Sequence, residues 1–284
     1  MGVAPKKRKY KTLLGVSMVK KLIKKNPKLY RLLCDLYAKT SFLKNYLKSD
    51  KNELKRLKNR YQGKRCFIIG SGPSLTISDL NQLKGEYTFA SNKIFTVFDK
   101  TEWRPTFYVV SDNDITPEMY EQSAKFDAQT QIKFFPANFR DGCKGDNLNA
   151  FFYNYVGCDT TGKTPPAFSD NIAKSVMEGY SVAYVAIQIA VYMGFTEIYL
   201  LGLDFSWPVY KDCAGNIFEN GQAKHRFYED NHEFDEISIP NVELMENAYK
   251  QARKYCETHG ITICNVTRGG KLEVFHRVNL DNLT

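Results

Sequence analysis

The sequence of 284 residues contains no apolar run approaching the roughly 20 residues that a membrane-crossing helix requires. Its amino terminus has no apolar stretch ending in a small-residue cleavage site, so the chain is expected to be cytosolic. None of its seven cysteines (Cys34, Cys66, Cys143, Cys158, Cys213, Cys256, Cys264) forms a C-x-x-C pair, and an odd number cannot all pair within one chain. Reduced thiols are therefore expected. Histidine is scarce, with four in all and none four residues from another, which gives a zinc site little support. With 43% hydrophobic and 25% charged residues, the collagen, mucin and wholly disordered classes are excluded.

What the sequence does carry is a strong division of charge. Residues 1–65 hold 21 Lys and Arg against 3 acids, a net +18, whereas the remainder carries −9. A basic arm precedes an acidic body, and a polyanionic partner should meet the arm. Within the arm, Lys6-Lys7-Arg8-Lys9 is followed by apolar residues three and four apart: Val16, Val19, Leu22, Ile23, then Leu29, Leu32, Leu33, Leu36, and later Phe42, Leu43, Tyr46, Leu47. Those spacings predict helices, with Pro27 favouring a break between two of them and Asn52 to Arg60 forming a further polar helix. Residues 1–60 are thus read as a basic amphipathic arm. Such an arm can lie on an anionic membrane surface, placing the protein at the inner face of the membrane. The alternative is a helical hairpin packing on its own body or on another subunit of a homo-oligomer. Nucleic acid is not the expected partner, because phosphate contacts would leave the apolar face exposed.

The body, residues 61–284, opens with Lys64-Arg65-Cys66-Phe67-Ile68-Ile69-Gly70, a short apolar run that stops at glycine, as a buried parallel strand does. Further strands are expected at Tyr87 to Ser91, Thr106 to Ser111, Ile132 to Phe135, Glu197 to Leu201 and Ile261 to Asn265, with helices at Tyr180 to Met193 and Val242 to His259. Their alternation predicts an α/β fold: a Rossmann-like, mostly parallel doubly wound sheet. The polar, Gly- and Asn-containing stretch at about 206–240 has the character of an inserted lid.

Five constellations could carry chemistry. Gly70-Ser71-Gly72-Pro73-Ser74 follows the first strand, where a strand-to-helix turn can offer amides to a phosphate. It lacks the third glycine of the dinucleotide fingerprint and the Gly-Lys-Ser/Thr of a P-loop, and a tight turn without a ligand is its competing reading. Asn92, after the second strand, could serve a ribose or base with donor and acceptor, or simply form a turn. Asp112 and Asp114 sit two apart at a strand end, the spacing of a carboxylate pair holding a divalent cation, although an Asx turn or helix cap accounts for them somewhat better. Ser181 and Asp204 flank an apolar helix and strand at the edge a ligand could reach. Asp230-Asn231-His232 lies in the lid, where His232 could act as a general base or be an ordinary surface histidine.

Taken together, Lys64 to Leu75, Ser91-Asn92, Thr106 to Asp112, Gly179 to Phe205 and Asp230-Asn231-His232 are similar in order and rough spacing to bacterial sialyltransferases of glycosyltransferase family 42. They resemble equally the related domain named for the archaeal 6-hydroxymethylpterin diphosphokinase, found in many bacterial surface-polysaccharide loci, and Asn265 to Phe275 looks like that group's terminal motif. The resemblance covers about 220 residues of the body. It implies a glycosyltransferase that moves a sialic-acid-like nonulosonic sugar from a CMP donor to a glycan acceptor hydroxyl with inversion. Gly70, Gly72, Pro73 and Asn92 would hold the nucleotide, His232 would deprotonate the acceptor, and Tyr210 or Tyr228 would assist the leaving phosphate. Asp112 stands where the sialyltransferases have another nucleotide-contacting Asn. No cofactor is required in this reading. Two alternatives remain: a magnesium-dependent diphosphokinase with Asp112 and Asp114 on the metal, and a non-catalytic nucleotide-binding scaffold.

Overall fold

The computed structural model describes residues 27–111, 116–130, 132–158, 164–221, 226–227 and 239–283. The chain divides into two compact units after Lys44. Helix α1 (Pro27–Lys48) crosses that boundary, so residues 27–44 belong to the first unit and the final turn to the second. Pro27 opens this helix, where its missing N–H costs no bond.

The second unit begins at Asn45, within the span read as the arm. Helix α2 (Lys51–Lys55) is a single turn of the second unit, and Leu54 and Leu57 are buried in its core. The continuation expected to Arg60 does not form because the backbone donors of Asn59, Tyr61 and Gly63 go to the carbonyls of Tyr192, Met193 and Gly194. The Tyr61 ring then stacks on Phe195 at 5.0 Å.

The second unit is built on strands β1 (Arg65–Ile69), β2 (Thr88–Ser91), β3 (Phe107–Val109), β4 (Ile132–Pro136), β5 (Ala150–Tyr153), β6 (Tyr155–Val156), β7 (Val176–Met177), β8 (Glu197–Leu201), β9 (Val209–Lys211), β10 (Ile217–Glu219), β11 (Thr262–Asn265) and β12 (His276–Arg277). Its main helices are α3 (Ile77–Gln82), α4 (Thr116–Ser123), α5 (Val182–Tyr192) and α6 (Val242–Thr258). Eight strands form one sheet in the order β12-β11-β8-β1-β2-β3-β4-β5, and all of its pairings are parallel. This is the doubly wound, Rossmann-like α/β fold.

Alternation along the strands separates two apolar layers. Cys66, Ile68, Phe89, Phe107, Phe134, Ile198 and Leu200 face a core shared with α2, α5 and α6. Phe67, Ile69, Ala90, Tyr108, Phe135, Tyr199 and Leu201 face a second core with Leu80 of α3 and Met119 of α4. Both sheet faces are covered, which is why the strands read as continuous apolar runs rather than alternating ones. The 206–240 stretch contains the antiparallel hairpin β9–β10. Among the described residues, no helix is long and apolar enough to cross a membrane.

The chain order fixes where a ligand belongs. From β1 the sheet grows outward through β2, β3, β4 and β5, then the chain returns to place β8 on the other side of β1. The reversal falls at the carboxyl ends of β1 and β8, the usual ligand position in such sheets.

Candidate active site

Gly70 to Ser74 leaves β1 at that reversal, and Gly202 to Asp204 leaves β8 beside it. The two turns are packed backbone to backbone. A Cβ on Gly70 would lie 2.3 Å from the Gly202 carbonyl oxygen, and one on Gly72 would lie 1.9 Å from Oδ2 of Asp204. Gly202 itself has φ of 70°, a left-handed conformation that suits glycine. The glycines are needed so that the chain can approach itself.

Most of the amides expected to cradle a phosphate are engaged within the protein. The Gly70 amide donates to the Leu201 carbonyl at 2.7 Å and the Gly72 amide to the Gly202 carbonyl at 2.8 Å. The Ser74 amide donates to Oδ1 of Asp204 at 3.2 Å, and its hydroxyl to Oδ2 at 2.8 Å. Pro73 has no N–H, so Ser71 supplies the bend's remaining amide. A backbone whose donors are already engaged cannot surround a phosphate without breaking those bonds.

Asp204, expected among the nucleotide ligands, is the strut of this arrangement. Besides accepting twice from Ser74, its carbonyl takes the Lys271 amide at 2.7 Å, and Gly270 packs so closely that a Cβ would come within 2.7 Å of that same oxygen. The Leu203 amide donates to the Thr267 hydroxyl at 3.1 Å. Burial raises the Asp204 carboxyl above its ordinary value, with the Ser74 hydrogen bonds opposing the rise.

The turn after β11 brings in a residue the sequence reasoning missed. Arg268 Nη2 lies 2.5 Å from Oδ2 of Asp79 and 3.5 Å from the Ser74 carbonyl, so a half-exposed guanidinium stands against the bend. Asp79, nearly fully buried, also accepts from the Thr76 amide and hydroxyl at 2.8 Å, closing the capping box of α3. Arg277 holds this turn by donating to the carbonyls of Thr267 and Gly269 at 3.0 and 2.6 Å. The signal was available: Arg268-Gly269-Gly270 follows a strand at the same edge, as Gly70 and Gly202 do.

Asn92 begins the turn after β2, the strand next to β1, with φ of 50°. Its side-chain Oδ1 is buried and has no hydrogen-bond partner. A buried carbonyl left so costs about 1–3 kcal/mol. Ser181 caps α5, accepting from the Ala183 amide at 3.3 Å, and shares a 2.8 Å hydrogen bond with the Tyr249 hydroxyl. Burial pushes that hydroxyl up to about 12. Tyr249 packs edge-on against Phe205, so Ser181 is linked to the Asp204 turn through one aromatic ring.

In the expected lid, Tyr210 stacks on Phe218 at 5.3 Å across the β9–β10 hairpin. The same stretch returns to the bend at Phe227, whose amide donates to the Ser71 carbonyl at 3.1 Å. His232, Tyr228, Asp112 and Asp114 lie outside the described residues. Among the described residues, no group of three His, Cys, Asp or Glu side chains could hold a metal ion, and both Asp204 oxygens are engaged by Ser74.

The fold defines a doubly wound α/β protein with its candidate site at the reversal point beside the first strand. The chain belongs to the family described as 6-hydroxymethylpterin diphosphokinase MptE-like, whose model matches residues 40–209. That span includes the bend, Asn92, Ser181 and Asp204. The match falls on the second of the two groups that the sequence resembles, rather than on the sialyltransferases. Among solved structures, the MAf glycosyltransferase from Magnetospirillum magneticum AMB-1 is similar at 15% identity and a TM-score of 0.46, covering 85% of this chain. The chain spans 38% of that protein's length. No curated protein matches.

Proposed function

We propose that the chain is a nucleotide-dependent transferase whose nucleotide lies across the carboxyl ends of β1 and β2. The observation that carries the reading is Asn92 Oδ1, buried without a partner one strand away from the bend. A ribose hydroxyl or a base amino group would satisfy it. Phosphate charge would be met by the Arg268 guanidinium and the Ser71 amide, because the other bend amides are engaged within the protein.

The favoured chemistry is glycosyl transfer with inversion from a CMP-linked nonulosonic sugar to a glycan hydroxyl, in surface-polysaccharide assembly at the cytoplasmic side of the membrane. His232 would take the acceptor proton and Tyr210 or Tyr228 would assist the departing phosphate. A second reading is favoured by the family description: transfer of diphosphate from ATP to a pterin alcohol, with magnesium held by Asp112 and Asp114.

Calorimetric titration with CMP and with ATP, each with and without magnesium, separates the two. Tighter binding of CMP supports glycosyl transfer, and magnesium-dependent binding of ATP supports the kinase. Asn92→Gly, which suits the local φ, should weaken the bound nucleotide about ten-fold, the equivalent of one lost hydrogen bond. Unchanged affinity would remove Asn92 from the site, and binding of neither nucleotide would leave the non-catalytic scaffold without its nucleotide as well.

A further inference from the structure

Half of the large apolar side chains most exposed among the described residues lie on one helix. Leu36, Leu43 and Leu47 of α1 are 56%, 55% and 67% exposed. At about 100° per residue, positions 36, 43 and 47 fall within about 40° of one another, a stripe roughly 16 Å long. Lys39 and Lys44, both exposed, flank it on opposite sides, with the exposed Thr40 between. The remaining members of that set, Leu148 and the hairpin pair Ile217 and Phe218, form no comparable stripe.

We propose that this face of α1 lies in the surface of a bilayer containing anionic lipid. Both halves of the chemistry point there. The leucines require an apolar medium, whereas the flanking lysines and the net +18 of residues 1–65 require a negative one. A headgroup region with acyl chains beneath it offers both within the reach of one side-chain layer, and the lysine stems can extend along the leucines with their ammonium groups at the phosphates. Pairing with the same face of a second arm would bring two strongly positive segments together.

The test is co-sedimentation of the full chain with vesicles of phosphatidylcholine containing 30% phosphatidylglycerol, and with phosphatidylcholine alone. The anionic vesicles should bind at least ten-fold more tightly, and 0.5 M salt should weaken that binding. The triple variant Leu36→Ser, Leu43→Ser, Leu47→Ser should lose at least ten-fold in affinity while its thermal unfolding midpoint stays unchanged, since all three side chains are exposed. Failure of the wild-type chain to bind would overturn the proposal, as would undiminished binding by the triple variant, which would assign adhesion to charge alone. A wild-type dimer that the triple variant converts to monomer, with no vesicle binding by either, would reassign the stripe to a protein interface and equally overturn it.

Discussion

Gly72→Ala tests whether the bend is closed against its neighbour or open to a ligand. The new Cβ would stand 1.9 Å from Oδ2 of Asp204, where ordinary contact begins at 3.4 Å, so one side must give by about 1.5 Å. Forced overpacking of this kind costs about 1–3 kcal/mol, and displacing the carboxylate weakens the hydrogen bonds from Ser74 as well. A total near 3 kcal/mol should lower the unfolding midpoint by about 6–12 °C for a unit of this size. Asp204→Ala alone should cost about 1–2 kcal/mol through the unpaired Ser74 groups. In the double variant the obstructing oxygen is gone, so the two losses should fall short of additivity by about 1–2 kcal/mol. Rescue stays partial because the Gly202 carbonyl oxygen still lies 2.7 Å from the new Cβ. Gly70→Ala is the control: its Cβ would meet the Gly202 carbonyl oxygen at 2.3 Å and Leu203 Cδ1 at 2.9 Å but not the Asp204 carboxylate, and combining it with Asp204→Ala should be additive within about 0.5 kcal/mol. Urea unfolding of the five variants and the wild-type chain, followed by circular dichroism at constant m-value, measures every term. Additivity in the Gly72 cycle would refute the close packing of the two turns.

Asp204 also makes a prediction in pH. Its folded value is raised above 3.8 by burial, so the protonated form suits the fold better, and its contribution is complete below pH 3.8 and lost as pH rises through the folded value. The stability of the wild-type chain minus that of Asp204→Asn should therefore fall across that window, and a difference that is flat or rising would contradict the assignment. Gln188 on α5 accepts from the Ser169 and Met177 amides at 3.0 and 2.9 Å and donates to the Met177 carbonyl at 2.9 Å, all from a fully buried position. Gln188→Leu should cost about 3 kcal/mol or more in urea unfolding because it strands those backbone groups, and a loss below about 1 kcal/mol would show that they find other partners.

The strands were legible because this sheet is buried on both faces. Each reads as a short apolar run ending at a polar residue or glycine, and Glu197 to Leu201 forms the full extent of β8. Strand β5 escaped notice since Ala150-Phe151-Phe152-Tyr153 sits between polar stretches with no glycine or charged lead to mark its ends. Strand β12 is two residues at the sheet edge, held by pairing with β11 rather than by any pattern of its own. The segment at 51–60 shows the same dependence on packing. Lysines and arginines dominate the composition between 51 and 60, whereas the buried Leu54 of α2 and Leu57 just beyond it determine where the segment packs.

Composition and order along the chain determined the fold class, the separation of a basic arm from an acidic body, and the edge of the sheet at which a ligand belongs. Each of these depends on local pattern or on counting. What the folded chain decided was the use of each group at that edge. Gly70 and Gly72 make room for the turn after β8, Asp204 ties that turn to Ser74, and Arg268 arrives from a strand almost two hundred residues away. Hydrogen-bond donors and acceptors are claimed by whatever comes closest in space, and closeness between β1, β8 and β11 is a product of the winding order, which no stretch of sequence contains by itself.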